Sequence, residues 1–180
     1  MNDRNTLQEM VVLVDEQNVP IGTAPKDTVH TKQTPLHRAF SLFLFNDKKE
    51  ILLTKRASTK KTFPGVWTNA VCGHPAPGEE TADAVKRRVP EELGIEIHEV
   101  KHAAPYRYRF TDINGIVENE ICPIYVGFTE NDPNPSFGEV DDWKRLDWQE
   151  FLRDIQNNPS IYSPWSIEEA NIIESLKLIV

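Results

Sequence analysis

The sequence predicts a single α/β domain of the α+β kind, residues 1–180, in which strands and helices share one hydrophobic core. Three observations lead there. Phe40-Ser41-Leu42-Phe43-Leu44-Phe45 is nearly continuous in apolar character, as expected of a strand covered on both faces. Asn46-Asp47 and Asn114-Gly115 stand between such runs as turn signals, so neighbouring strands pair as hairpins. Glu79 to Glu92 repeats apolar residues at helical spacing and is followed by Gly94, where a C-cap glycine belongs. A length of 180 residues fits one domain with a sizeable core.

Residues 8 to 14 read as a buried strand ended by Asp15-Glu16-Gln17-Asn18, and Val19 to Thr23 as a short return strand. Lys26 to Gln33 is polar, a loop or one helical turn. Pro35 stands between His30 and His37, so these two converge by loop geometry and not along a helix. His37 to Phe45 reads as one strand, Asn46 to Lys49 as its turn and Glu50 to Lys55 as its partner. Arg56, Lys60 and Lys61 follow in a polar loop. Val66 to His74 is a short apolar strand ending in a thiol, Cys72, and an imidazole, His74, after which Pro75, Pro77 and Gly78 force a loop.

The helix from Glu79 turns Ala82, Val85 and Val89 to one face and pairs Arg87 with Glu91 and Arg88 with Glu92. Pro90 inside it costs about 3 kcal/mol and predicts a kink or bulge in the last turn. Ile95 to Phe110 and Ile116 to Phe128 read as two long strands joined at Asn114-Gly115, and residues 131–137 as a proline-rich loop. Val140 to Leu146 is a last edge strand. Asp147 caps a helix over Trp148 to Ile155. Trp165 to Leu178 is a terminal helix that buries Ile167, Ala170, Ile173 and Leu176.

A net charge of −8 argues against nucleic acid, whose phosphates need a basic footprint; a small anion remains possible where a local basic patch overrides the global sign. No apolar run is long enough to span a membrane, and Met1 to Thr6 lacks the apolar core of a signal peptide, so the expectation is a cytoplasmic protein whose Cys72 and Cys122 are free thiols. Glu118 and Glu120 share one face of a strand. By spacing alone His30, His37 and His74 read equally as surface or packed residues; brought together with these carboxylates they would make a mixed nitrogen and oxygen set suited to Mn²⁺, Zn²⁺ or Fe²⁺. His98 and His102 read as surface residues, Trp67, Trp143 and Trp148 as structural, and Cys122 as a buried thiol.

From Gly73, five residues lead to Glu79 and seven more to Arg87, followed by Arg88-Val89-Pro90-Glu91-Glu92-Leu93-Gly94-Ile95. This resembles the Nudix box, Gly-x5-Glu-x7-Arg-Glu-U-x-Glu-Glu-x-Gly-U, with Arg88 standing where a Nudix hydrolase carries a metal-holding Glu. Thr68 to Pro75, Val117-Glu118-Asn119-Glu120-Ile121-Cys122-Pro123 and Tyr162-Ser163-Pro164-Trp165 extend the likeness over roughly residues 10 to 170. Over that span the chain is similar to the type I isopentenyl-diphosphate Δ-isomerases.

The resemblance implies a Nudix-like mixed β-sheet sandwiched between helices and a proton-moving reaction in isoprenoid precursor synthesis. It places Cys72 and Glu120 on opposite faces of the substrate, Glu120 as proton donor with Tyr108 relaying, and Cys72 as acceptor of the allylic proton. Neighbouring cations are expected to lower the Cys72 pKa. It puts one Mn²⁺ or Zn²⁺ on His30, His37, His74, Glu118 and Glu120, and Mg²⁺ with the diphosphate on Glu92 and the Cys72 carbonyl. Lys26, Arg56, Lys60 and Arg88 would hold the diphosphate, and Trp165 would face the cation formed on the substrate. The partner is then a small prenyl diphosphate, with no nucleic acid or membrane, and the chain a monomer or weak homodimer. A Nudix pyrophosphohydrolase and a non-catalytic binding module are the competing readings.

Overall fold

Phe40 to Phe45 sends alternate side chains into two apolar layers, and the elements around it are arranged accordingly. The computed structural model describes residues 8–136 and 138–179. Met1 to Thr6 and Phe137, on which parts of the sequence reading fall, lie outside the described residues. The strands are β1 (Met10–Val14), β2 (Pro20–Pro25), β3 (His37–Arg38), β4 (Phe40–Phe45), β5 (Glu50–Arg56), β6 (Trp67–Thr68), β7 (Val71–Gly73), β8 (Val100–Ala104), β9 (Arg107–Thr111), β10 (Val117–Ile121), β11 (Ile124–Phe128) and β12 (Val140–Asp147). The helices are α1 (Lys26–Val29), α2 (Thr81–Leu93), α3 (Trp148–Asn157) and α4 (Pro164–Ser175).

There are two mixed sheets where the sequence implied one. The first has the order β2-β1-β3-β10-β9; the second follows β12-β5-β4-β11-β8, with β6 on β5 and β7 on β4. Each contains one parallel pair, β10 with β3 and β11 with β4. Phe40, Leu42 and Leu44 pack with Ala84, Val85, Val89 and Leu93 of α2. Phe43 and Phe45 pack with Trp148 and Phe151 of α3 and Ala170 and Ile173 of α4. The second sheet is thus covered on both faces, which accounts for its unbroken apolar strand.

Three expected long strands are each divided. His37 to Phe45 breaks at Ala39, Ile95 to Phe110 is strand only over β8 and β9, and Ile116 to Phe128 breaks at Cys122-Pro123. In each case the two pieces belong to different sheets. Proline supplies the physical reason at two breaks: Pro105 and Pro123 have no N–H for the ladder. Backbone bonds stitch the crossings, with Ala39 N–H donating to Ile121 O at 2.9 Å, Ser41 N–H to Pro123 O at 3.2 Å and Cys122 N–H to Tyr106 O at 2.9 Å.

The helix α2 continues through Pro90 to Leu93, and Gly94 closes it in the left-handed region at φ 65° with its N–H on Pro90 O. Its buried stripe includes Ala84, Leu93, Arg88 and Glu92, whereas Ala82 is only partly buried. Asp147 caps α3, accepting from Glu150 N–H at 3.0 Å. The terminal helix stops at Ser175, so Leu176 is exposed and not buried as its spacing suggested. Among the described residues no helix is long and apolar enough to cross a membrane.

Candidate active site and metal centre

Four side chains converge from both sheets. His37 stands on β3, Glu120 opposite it on β10, His74 just past β7, and His30 just past α1. One ligand atom from each of the four lies within 4.8 Å of all the others. His74 Nε2 is 3.1 Å and His37 Nε2 3.3 Å from Glu120 Oε1. His30 Nε2 lies 3.1 Å from Glu118 Oε2, but the contact lacks hydrogen-bond geometry, and both atoms are buried without a partner. Glu118 therefore joins the cluster at its edge, through His30, and its other oxygen accepts from the Thr62 hydroxyl.

His37 is fully buried, with Nδ1 2.9 Å from Pro35 O, so Nδ1 carries the proton and the Nε2 lone pair faces inward. Unpartnered lone pairs on His30 and His37 converging beside Glu120, with that of Glu118 at the edge, are costly unless a cation lies among them. The donor set thus fits a divalent ion, with backbone carbonyl and hydroxyl groups orienting it from behind.

Charge in the cluster follows from these contacts. Burial alone would raise Glu120, but the imidazoles of His37 and His74 beside it overturn that and hold it well below the ordinary carboxylate range. Burial pushes His74 down to about 4, against the pull of Glu120. Tyr108 keeps its proton well above the usual range because of burial and the Glu120 charge, and donates it to Glu120 Oε2 at 2.5 Å.

These groups open onto a cavity of about 530 Å³ that is also lined by Cys72, Trp165 and the cations Lys26, Arg56, Lys60 and Arg88. Every residue assigned to the site from sequence lines this cavity except His37, which lies behind its wall. Trp165 stacks on Tyr108, with centroids 5.6 Å apart at 17°, and the Arg56 guanidinium sits 5.5 Å from the Trp165 ring centre.

The expected basic patch is not a net positive one. The lining holds five Lys and Arg, Lys61 being the fifth, against six Asp and Glu. Lys26 pairs with Glu9 at 2.6 Å, Lys60 with Glu139, and Arg88 with Glu92 at 2.5 Å and Glu91 at 2.9 Å. Glu9 and Glu139 carry no sequence motif, which is why the sequence reading missed them.

Cys72 is held on β7 directly opposite Ser41 of β4. Its thiol donates to Asn69 Oδ1 at 3.3 Å and lies 3.6 Å from Ser41 Oγ. Burial pushes it up to about 12, with Glu169 adding to the rise, outweighing Ser41, Arg56 and Asn69. The lowering expected from nearby cations does not prevail. Gly73 is required next to it: a Cβ there would lie 2.8 Å from the Phe40 ring and 3.2 Å from Arg88 Cγ. Past His74, Arg87 binds Glu79 at 2.7 and 2.8 Å and His74 O at 3.4 Å, bracing the loop between strand and helix.

A family model for the NUDIX domain matches residues 35–165. A Paenarthrobacter aurescens protein named isopentenyl-diphosphate Delta-isomerase is 51% identical over 158 residues, covering 87% of this chain and 86% of its own. An Escherichia coli protein of the same name is 47% identical, covering 95% and 94%. Among solved structures, a Deinococcus radiodurans protein aligns with a TM-score of 0.73 at 18% identity over 91% of this chain and 98% of its own, and a Methanosarcina mazei MutT protein with 0.61 at 21% over 79% and 93%. The structural matches establish the fold, the closer sequence matches the branch: the chain belongs to the isopentenyl-diphosphate Delta-isomerase family of NUDIX-domain proteins.

Proposed function

We propose that the chain converts isopentenyl diphosphate to dimethylallyl diphosphate, with Cys72 and the Glu120–Tyr108 pair exchanging protons with the substrate. One observation carries this reading: a thiol and a hydrogen-bonded carboxylate–phenol pair line the same cavity, together with Lys26, Arg56, Lys60 and Arg88. Protonating an unactivated C=C demands a well-placed acid and a site that keeps water from the resulting tertiary cation. The Tyr108 O–H lies on Glu120, so the pair holds the proton delivered to the terminal carbon. The indole face of Trp165, packed on Tyr108, favours positive charge beside it. Cys72 then removes the allylic proton as thiolate, and the new C=C forms as that C–H bond breaks. The two roles exchange in the reverse direction.

Lys26, Arg56, Lys60 and Arg88 suit a diphosphate, with Glu9 and Glu139 standing on three of these cations until the anion takes their place. His30, His37, His74, Glu118 and Glu120 would hold one Mn²⁺ or Zn²⁺, and Glu92 one Mg²⁺ with the diphosphate; these ions would supply the positive charge that the lining itself lacks. The reading places the chain as a cytoplasmic enzyme acting as a monomer or weak homodimer.

Incubation with isopentenyl diphosphate and Mg²⁺ in deuterated water tests it. Deuterium should enter the five-carbon skeleton without release of inorganic phosphate. Cys72→Ala and Glu120→Gln should each lower kcat by about 10³-fold, within the range of positioned acid–base groups. Full activity in Cys72→Ala, or phosphate release by the wild type, would overturn the assignment.

A further inference from the structure

One buried ionisable group has no place in the reaction above. Glu169 stands on α4, one helical turn beyond Trp165, with no exposed surface, and neither carboxylate oxygen has a hydrogen-bond partner in the described structure. An ionised carboxylate left so is prohibitively costly, so the group must be neutral or must find a donor. Burial raises it well above the ordinary carboxylate range, with the Ser41 hydroxyl opposing the rise and the charges of Glu120 and Glu168 adding to it.

Ser41 is the junction. It lies on the same face of β4 as Phe43 and Phe45, which is the face α4 covers. Its Oγ is 3.4 Å from Cys122 Sγ and 3.6 Å from Cys72 Sγ, and Glu169 is buried on the helix that covers this face, its two oxygens unpartnered. A hydroxyl can accept twice and donate once. Asn69 cannot serve Cys72 as a donor: its Nδ2 is committed to Leu42 O and Val71 O at 3.1 Å each, so Oδ1 faces the sulfur. Asn69 therefore favours the thiol, and Ser41 is the neighbour able to donate to the thiolate.

Which way the Ser41 hydrogen points depends on Glu169. An ionised carboxylate would take that hydrogen and stand as a second negative charge behind the sulfur. A carboxylic acid reverses the chain. We propose that Glu169 is a positioning residue for the isomerisation: its carboxyl O–H donates to Ser41 Oγ, and so turns the Ser41 hydroxyl hydrogen onto Cys72 Sγ. Cys122 fills the second acceptor position with its own S–H, which completes the Ser41 valences. The neutral acid thereby stabilises the thiolate without adding charge behind it. This rests on the reading of Cys72 as the group that takes the allylic proton.

The test uses the metal-loaded enzyme and two replacements of similar shape. Glu169→Gln keeps a neutral N–H donor towards Ser41 and should retain kcat within about threefold; Glu169→Met removes the donor and should lower kcat about ten- to a hundredfold with KM little changed. Ser41→Ala should lose as much as Glu169→Met, and the double variant no more than either, because all three break one chain of hydrogen bonds. Infrared difference spectra of wild type against Glu169→Gln at neutral pH should show loss of the carbonyl stretch of a protonated carboxyl. Full activity in Glu169→Met, an equal loss in Glu169→Gln, additive losses in the double variant, or no such band would each overturn the proposal. An inactive wild type would instead remove the isomerase reading beneath it.

Discussion

Asn69, Ser41 and Glu169 define the surroundings of Cys72, and none of them was visible as a site residue in the sequence. Cys72 and His74 were visible because a thiol and an imidazole end the same short strand, and Glu118 and Glu120 because strand parity puts them on one face. Glu169 did carry a signal: four residues after Trp165, it falls on the stripe that buries Ala170 and Ile173, where a charge is out of place. Ser41 had none, since a serine inside an apolar strand is unremarkable until its neighbours are known. The Glu79–Arg87 clamp beside His74 makes a prediction at this scale. Glu79 is held below its ordinary 4.5, chiefly by the Arg87 hydrogen bonds, so the stability it contributes is complete above about pH 4.5 and fades as pH falls through its lower folded-state value. Glu79→Gln should cost about 1 kcal/mol near pH 7 in urea titrations, and the gap from wild type should close in acid. A gap that stays constant with pH would show the clamp to be steric.

The helix α2 and the loop after β11 that packs on its end show what elements add. The helix, its C-cap and the cap of α3 were legible because each has a local chemical cause: spacing, a glycine at positive φ, an aspartate accepting from a backbone N–H. The strand breaks were not, because apolar character continues across Ala39 and Cys122 while the partner sheet changes, and partner choice is a tertiary matter. Gly94 has a second duty beyond its φ. A Cβ there would lie 2.6 Å from Asn134 O, in the segment whose Asn134 and Ser136 N–H groups bind Leu93 O and Glu92 O at 2.8 Å. Gly94→Ala should therefore cost more than the about 1–2 kcal/mol of a left-handed alanine, and should raise KM by displacing Glu92. A loss of stability with KM unmoved would separate this loop from substrate binding. Pro90→Ala restores a helix N–H and should stabilise the fold by about 1–3 kcal/mol in thermal melts, provided that the Lys86 carbonyl is free to accept.

For the whole molecule, the metal-fitting cluster draws His37 and Glu120 from the first sheet and His74 from the end of the second. An ion bound there ties both sheets, so it stabilises the folded state by mass action. At a hundredfold excess over Kd that is about 2.7 kcal/mol, which for a chain of this size raises Tm by about 5–10 °C. Chelation should lower Tm by that amount and abolish turnover, and Mn²⁺ or Zn²⁺ should restore both. A Tm indifferent to chelator would take the ion out of the cluster. The overall charge of −8 told nothing of this, because it averages over a cavity whose own lysines and arginines are already matched by carboxylates.

The divided strands have a further effect. Because the backbone passes directly from one sheet into the other at three places, and is bonded across them, neither sheet can loosen while the other stays intact. Slow-exchanging amides of Val11 in β1 and Leu52 in β5, each one strand in from the edge of its sheet, should then open to deuterium with the same free energy, as one cooperative unit. The walls around the substrate would inherit that rigidity, and selection among prenyl chains would follow from a mould of fixed shape.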